Sequence, residues 1–170
     1  MKPTTSSLLA ILLATGLAMP ACAQSTGEVT LIIADEERTV PVWSEQSDWS
    51  GPEAWPSINI YARSFDDAGK EPIVLSLGFE ASGWQPSVPE LQVVLFENKE
   101  RVGELHAREE AERGGLIVTL ESHAIDGSML TISGSFEGTL GASEDRGRNI
   151  DMSNGIPARG SFAVSLESLD

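Results

Sequence analysis

The sequence predicts an all-β domain, an antiparallel β-sandwich or flattened barrel of about nine strands, carried behind a cleaved N-terminal signal segment. Three observations carry this. An uncharged apolar run opens the chain, period-two alternation of apolar and polar residues replaces helical periodicity after it, and turn-forming residues separate the alternating stretches.

Residues 1 to 23 come first. Lys2 supplies a positive charge, and Ser6 to Met19 follow without any charge. That run is too short for a bilayer core of roughly 30 Å, which takes about 20 apolar residues as a helix, so a cleaved segment is expected rather than a membrane span. Ala21-Cys22-Ala23 presents a small-x-small site, which suits cleavage after Ala23 and leaves residues 24 to 170 as one β domain. Cys22 offers the alternative. A cysteine just behind an apolar run is also where bacterial lipoproteins are acylated, although Met19-Pro20-Ala21 resembles a lipoprotein box poorly. Only acylation there would bring the domain to a membrane.

The domain beyond Ala23 has no cysteine, so an oxidising compartment adds no disulfide and the apolar core must suffice. One of the 11 basic residues, Lys2, leaves with the segment, so 26 acidic residues face 10 basic ones, a formal charge of −16. A field of that sign repels phosphate backbones and argues against nucleic acid as a partner; its plainest consequence is solubility.

Strands are expected near 28 to 34, 38 to 43, 57 to 64, 71 to 80, 91 to 96, 101 to 108, 115 to 125, 130 to 140 and 162 to 166. The clearest is the eighth, where Leu130, Ile132, Gly134, Phe136, Gly138 and Leu140 alternate with Thr131, Ser133, Ser135, Glu137 and Thr139. At Asp126-Gly127, a three-residue loop that pairs Ile132 with Leu120 and Phe136 with Leu116 is preferred. A two-residue turn there sets Leu130 beside His123 and Ile132 beside Glu121. The sequence of a signal segment followed by strands with Gly134-Ser135-Phe136 and Gly160-Ser161-Phe162 resembles many bacterial envelope proteins, a likeness too general to transfer a site.

If consecutive strands are antiparallel neighbours, the connections alternate between two ends. Asp35-Glu36-Glu37, Asp66 to Lys70, Asn98-Lys99-Glu100 and Asp126-Gly127 fall at one end and are short. Ser44 to Pro56, Ala81 to Glu90, Glu109 to Gly114 and Gly141 to Ala158 fall at the other, which makes it the candidate functional end. All four tryptophans, Trp43, Trp49, Trp55 and Trp84, lie in or beside those loops, with Glu45, Asp48 and Glu53 among them. Aromatic faces beside carboxylates suit carbohydrate or cationic ligands, whereas the simpler alternative is that the rings plug the open end of the sandwich. Arg146 and Arg148 form a second candidate, since an arginine pair clamps a carboxylate, though a charge-balanced mobile loop is the simpler and preferred account.

No constellation for catalysis or a cofactor emerges. His106 and His123 map to opposite ends of neighbouring strands, about 15 to 20 Å apart at ~3.3 Å per residue, too far to share zinc. Asn149, Asp151, Ser153 and Asn154 lack the spacing of a calcium loop and read as turn formers. Gly134-Ser135-Phe136-Glu137-Gly138 has the wrong order and setting for a serine elbow. The expectation is a non-enzymatic exported domain of the bacterial envelope that binds a ligand or protein partner at its long-loop end, without a cofactor. Alternatives are a carbohydrate-binding or carbohydrate-active protein using the same end, and a lipid-anchored structural component.

Overall fold

A computed structural model describes residues 24 to 65 and 71 to 169. The signal segment with Cys22, and the expected turn from Asp66 to Lys70, lie outside the described residues. Ten strands form: β1 (Thr26–Ile33), β2 (Glu36–Pro41), β3 (Asp48–Ser50), β4 (Ser57–Ser64), β5 (Ile73–Ser82), β6 (Gln85–Glu97), β7 (Glu100–Arg108), β8 (Ile117–Asp126), β9 (Met129–Ala142) and β10 (Asp151–Ser168). A 3-10 turn at Ala111–Arg113 separates β7 from β8.

The strands hydrogen-bond in the order β2-β1-β10-β3-β4-β5-β6-β7-β9-β8, and β9 also pairs with β10. Two sheets result. One holds β2, β1, β10, β9 and β8, and the other holds β3 to β7. Two corners join them: β10 runs past β1 and places Glu167 and Ser168 beside β3, while β9 runs past β8 and places Gly141 and Ala142 beside β7. The ring β10-β3-β4-β5-β6-β7-β9 therefore closes, and the sandwich is a flattened barrel whose closure removes open edges from those strands.

Three details correct the expectations. β3 is a tenth strand, three residues long inside the stretch expected to be a loop, and too short to show alternation. Its contact with β10 is parallel, so the sheet is mixed rather than wholly antiparallel. At the β8–β9 hairpin, the turn is Gly127-Ser128, which pairs Ile125 with Leu130 and His123 with Ile132. An extra residue at Glu121 then shifts the register, so Leu120 meets Gly134 and Val118 meets Phe136. Neither simple register works because a bulge changes the inward face partway along the strand, and only the core beyond it decides where.

The long-loop end also dissolves. Ala81 to Glu90 contracts to a two-residue turn at Gly83-Trp84, both with positive φ (55° and 63°) in the type I′ pattern, followed by a bulge at Val88-Pro89. Gly141 to Ala158 becomes mostly strand and leaves only residues 143 to 150 as a loop. Because β9 lies between β7 and β8, these consecutive strands are not neighbours and the alternation of ends stops at their connection.

The core fills the space between the sheets with the inward residues of the alternating strands, among them Leu31, Ile60, Leu75, Leu77, Leu91, Ile132 and Leu140, each at most 1 % exposed. Its most specific feature comes from the two Gly-Ser-Phe segments. β9 and β10 pair so that Gly160 faces Phe136 and Phe162 faces Gly134. Each ring lies over the opposing glycine: a Cβ on Gly160 would stand 2.4 Å from Phe136 Cζ, and one on Gly134 would stand 2.7 Å from Phe162 Cζ. Glycine shielded by a cross-strand aromatic is a known stabilising arrangement in sheets.

Candidate functional site

The outer face of the β3–β7 sheet carries the most developed polar site. On β5, Leu75, Leu77 and Phe79 point inward, leaving Ser76 and Gly78 on the outer face. Two small residues in succession leave a trough. Asn59 of β4 bounds one side, and Gln92 of β6 with Glu104, His106 and Arg108 of β7 bounds the other. The cavity is about 390 Å³, near the lower end of the usual range for small-ligand pockets.

Beneath its wall lies a buried ionisable pair. Glu104 is 8 % exposed and His106 is 7 % exposed. Glu104 Oε2 accepts hydrogen bonds from Gln92 Nε2 (2.7 Å) and Arg101 NH2 (2.6 Å), while Oε1 lies 3.3 Å from His106 Nε2. That last contact lacks hydrogen-bond alignment, so His106 Nε2 is buried without a hydrogen-bond partner among the described residues. Burial pushes the Glu104 carboxyl up, but the contacts with His106 and Gln92 and the charge of Arg101 outweigh it and hold the group below its ordinary value. Arg108 pairs with Glu90 across the rim.

The loop of residues 143 to 150 lies over His106. Ser143 Oγ accepts from the Gly147 N–H (2.8 Å) and donates to Asp145 Oδ1 (3.0 Å). Asp145 in turn accepts from the Asn149 N–H (2.8 Å) and Asn149 Nδ2 (2.5 Å), and these bonds, the backbone one first, lower its carboxyl pKa. Arg113 donates to Gly147 O (2.7 Å). Gly147 has φ +73°, and a Cβ there would come within 2.6 Å of His106 Nδ1, so only glycine lets the loop lie this close. The loop thus caps His106 through these bonds and places Arg146 at the edge of the trough.

The structure divides the residues picked out from sequence. Asp48 lies on the outer face, where it accepts from Asn59 Nδ2 (3.0 Å) beside the trough, and Arg146 lines the trough itself. Arg148 is exposed and does not line it, so the two arginines do not form one clamp. Trp43 is covered by the Arg63 guanidinium, 3.2 Å from its ring centroid, and makes an edge contact with Tyr61. Trp49 is 5 % exposed and donates to Ser128 O (3.0 Å), which makes it a core residue with no face open to a ligand. Trp55 is 55 % exposed, with its Nε1 bonded to Glu80 (2.9 Å). Trp84 stacks on His123 at 3.9 Å between centroids and 11° between planes, beside Glu53 in a separate shallow pocket. The four rings therefore occupy different places and form no single aromatic platform.

Glu104, Gln92 and the Ser76/Gly78 floor were not singled out in the sequence, and His106 was weighed there only as a zinc ligand with His123. The available signal was the polar alternation of Glu104, His106 and Arg108 opposite two small residues on β5. Among the described residues no group of three or more His, Cys, Asp or Glu side chains converges as metal ligands. Asp151 Oδ1 accepts from the Ser153 N–H (2.9 Å), a turn contact. The chain matches no protein-family model, no curated protein and no solved structure.

Proposed function

We propose that the chain is an exported, non-enzymatic binding domain of the bacterial envelope, and that it takes up a small polar ligand in the trough on the outer face of the β3–β7 sheet. The observation that carries this reading is the buried Glu104–His106 pair set in the wall of a concave polar site. Buried ionisable groups cost stability unless they are compensated, and such groups in a cleft mark functional sites more often than plain surface does. Three of the chain's eight arginines, Arg101, Arg108 and Arg146, also meet at this site in a protein with a formal charge of −15. Binding is favoured over acid–base catalysis because His106 Nε2 is sealed from solvent and Glu104 is held by Gln92 and Arg101. Export rests on residues 1 to 23.

The test is a thermal-shift screen of small polar metabolites on the wild type and on Gly78→Leu, whose added side chain fills the trough floor. A Cβ at Gly78 meets nothing closer than 3.6 Å, so the substitution is compatible with folding. Ligands that raise the wild-type melting temperature and lose this effect in Gly78→Leu support the reading. Equal shifts in both proteins refute it. A ligand present at 100 times its Kd adds about 2.7 kcal/mol, a readily measured shift. Intact mass of the protein from a periplasmic fraction tests export, since the mature chain begins at Gln24, or at an acylated Cys22 if the domain is anchored.

A second reading has its own observation. The exposed Trp55 ring, oriented by Glu80, is a stacking surface for a sugar. Trp55→Ala then removes binding that Gly78→Leu leaves intact.

A further inference from the structure

We infer that the ligand of the trough is a hydroxylated monocarboxylate of about monosaccharide size, such as a sugar acid, with its carboxylate on Arg146 and its hydroxyls on Asn59, Ser76 and Gln92. This rests on the trough being the binding surface, and it follows from which hydrogen-bonding groups there are already used.

Arg101 is committed to Glu104 and Arg108 to Glu90. Arg146 makes no ion pair or hydrogen bond with any other described side chain, so of the three arginines it alone has its fork of donors free. A guanidinium in this state is matched best by a carboxylate, which it can bind bidentately. The two carboxylates that line the trough, Glu90 and Glu104, pair with Arg108 and Arg101, and Asp48 beside it is engaged by Asn59, so the charge left unpaired is that of Arg146. One negative charge on the ligand balances it. A dianion places its second charge beside Glu90 and Glu104 with nothing to meet it.

The neutral groups determine the rest of the ligand. Gln92 gives one amide N–H to Glu104 and keeps its carbonyl oxygen. Asn59 gives one of its own to Asp48. Its Oδ1 is the nearest atom to the place a Cβ would take on Gly78, at 3.6 Å, and so overhangs the trough floor. The Ser76 hydroxyl has no hydrogen bond to a described side chain. Two carbonyl acceptors, one hydroxyl and the second N–H of each amide call for groups that both donate and accept, which is what ligand hydroxyls do. An ammonium group also donates, but it would share the trough with the free Arg146 charge.

The experiment is an NMR titration of the purified protein with galacturonate, galactose and galactosamine as probes, following the side-chain amides of Asn59 and Gln92 and the Arg146 Nε–H. Galacturonate is expected to shift all three groups and to bind at least tenfold more tightly than galactose. Arg146→Gln should remove that tenfold preference, bringing galacturonate affinity down to that of galactose. Galactose or galactosamine binding as tightly as galacturonate, or Arg146→Gln leaving galacturonate affinity unchanged, overturns the ligand class; if Gly78→Leu still abolishes that binding, the trough stands. Should no probe shift the trough signals, or should Gly78→Leu bind all probes as the wild type does, the reading of the trough falls together with the ligand class.

Discussion

Replacing Gly160 by alanine probes the packing that joins β9 and β10. The new methyl would stand 2.4 Å from Phe136 Cζ and 2.1 Å from Thr30 O, where ordinary contact begins at 3.4 Å. The ring must retreat by about 1 Å, and the neighbouring β1 backbone, which has no rotamer to change, must move as well. Overpacking in a filled core costs roughly 1–3 kcal/mol, and the involvement of backbone places this case near the upper end, about 2–3 kcal/mol. For a domain of this size that corresponds to a melting temperature lower by roughly 5 to 10 °C. Urea unfolding followed by tryptophan fluorescence measures it, with Trp49 as a buried reporter. Phe136→Leu in the same background should recover part of the loss, giving a coupling of at least about 0.5 kcal/mol in the double-mutant cycle. Recovery stays incomplete because Thr30 O remains in place. Gly78→Ala is the control, expected within about 0.5 kcal/mol of wild type because the site is open. A Gly160→Ala protein as stable as wild type, or additive effects in the cycle, would refute the account of the paired Gly-Ser-Phe segments.

Trp49→Ala should cost about 3–5 kcal/mol, whereas Trp55→Ala should stay within about 0.5 kcal/mol; equal losses in calorimetry would contradict their placement in core and surface. Glu104 has a folded-state pKa below its unfolded value, so its contribution to stability is complete above the ordinary carboxylate range and disappears as the pH falls through the lowered value. Glu104→Gln should therefore flatten the acid limb of a stability-versus-pH curve, and a limb of unchanged slope would count against the compensated pair. Val88 holds φ +49° while 57 % exposed, an unfavourable conformation for a β-branched residue. Val88→Gly should stabilise the protein by about 0.5–1 kcal/mol in chemical denaturation, and destabilisation would show that the side chain makes a contact worth more than the strain.

The sequence by itself determined the fold class, because alternation is a local property: the face that Leu130, Ile132 and Phe136 share is set by the pleat of one strand. It also showed most strand positions, and the Gly-Ser-Phe repeats were visible there without their purpose. Closure of the barrel was not, since it depends on β10 reaching β3 and β9 reaching β7, contacts between residues more than thirty positions apart or on strands that are not consecutive. The Glu121 bulge and the three-residue β3 escaped for a related reason: each is held by partners across the sheet rather than by its own pattern. The candidate site followed the same rule. Asp48 and Arg146 were picked out from their residue types, but the trough between them exists because Ser76 and Gly78 lie beside larger neighbours on β4, β6 and β7. The tryptophans, conspicuous in the sequence, were dispersed by the same folding, Trp49 into the core and Trp84 onto His123. Strand pairing chooses which side chains share a face, and that choice is made only when the whole barrel is assembled.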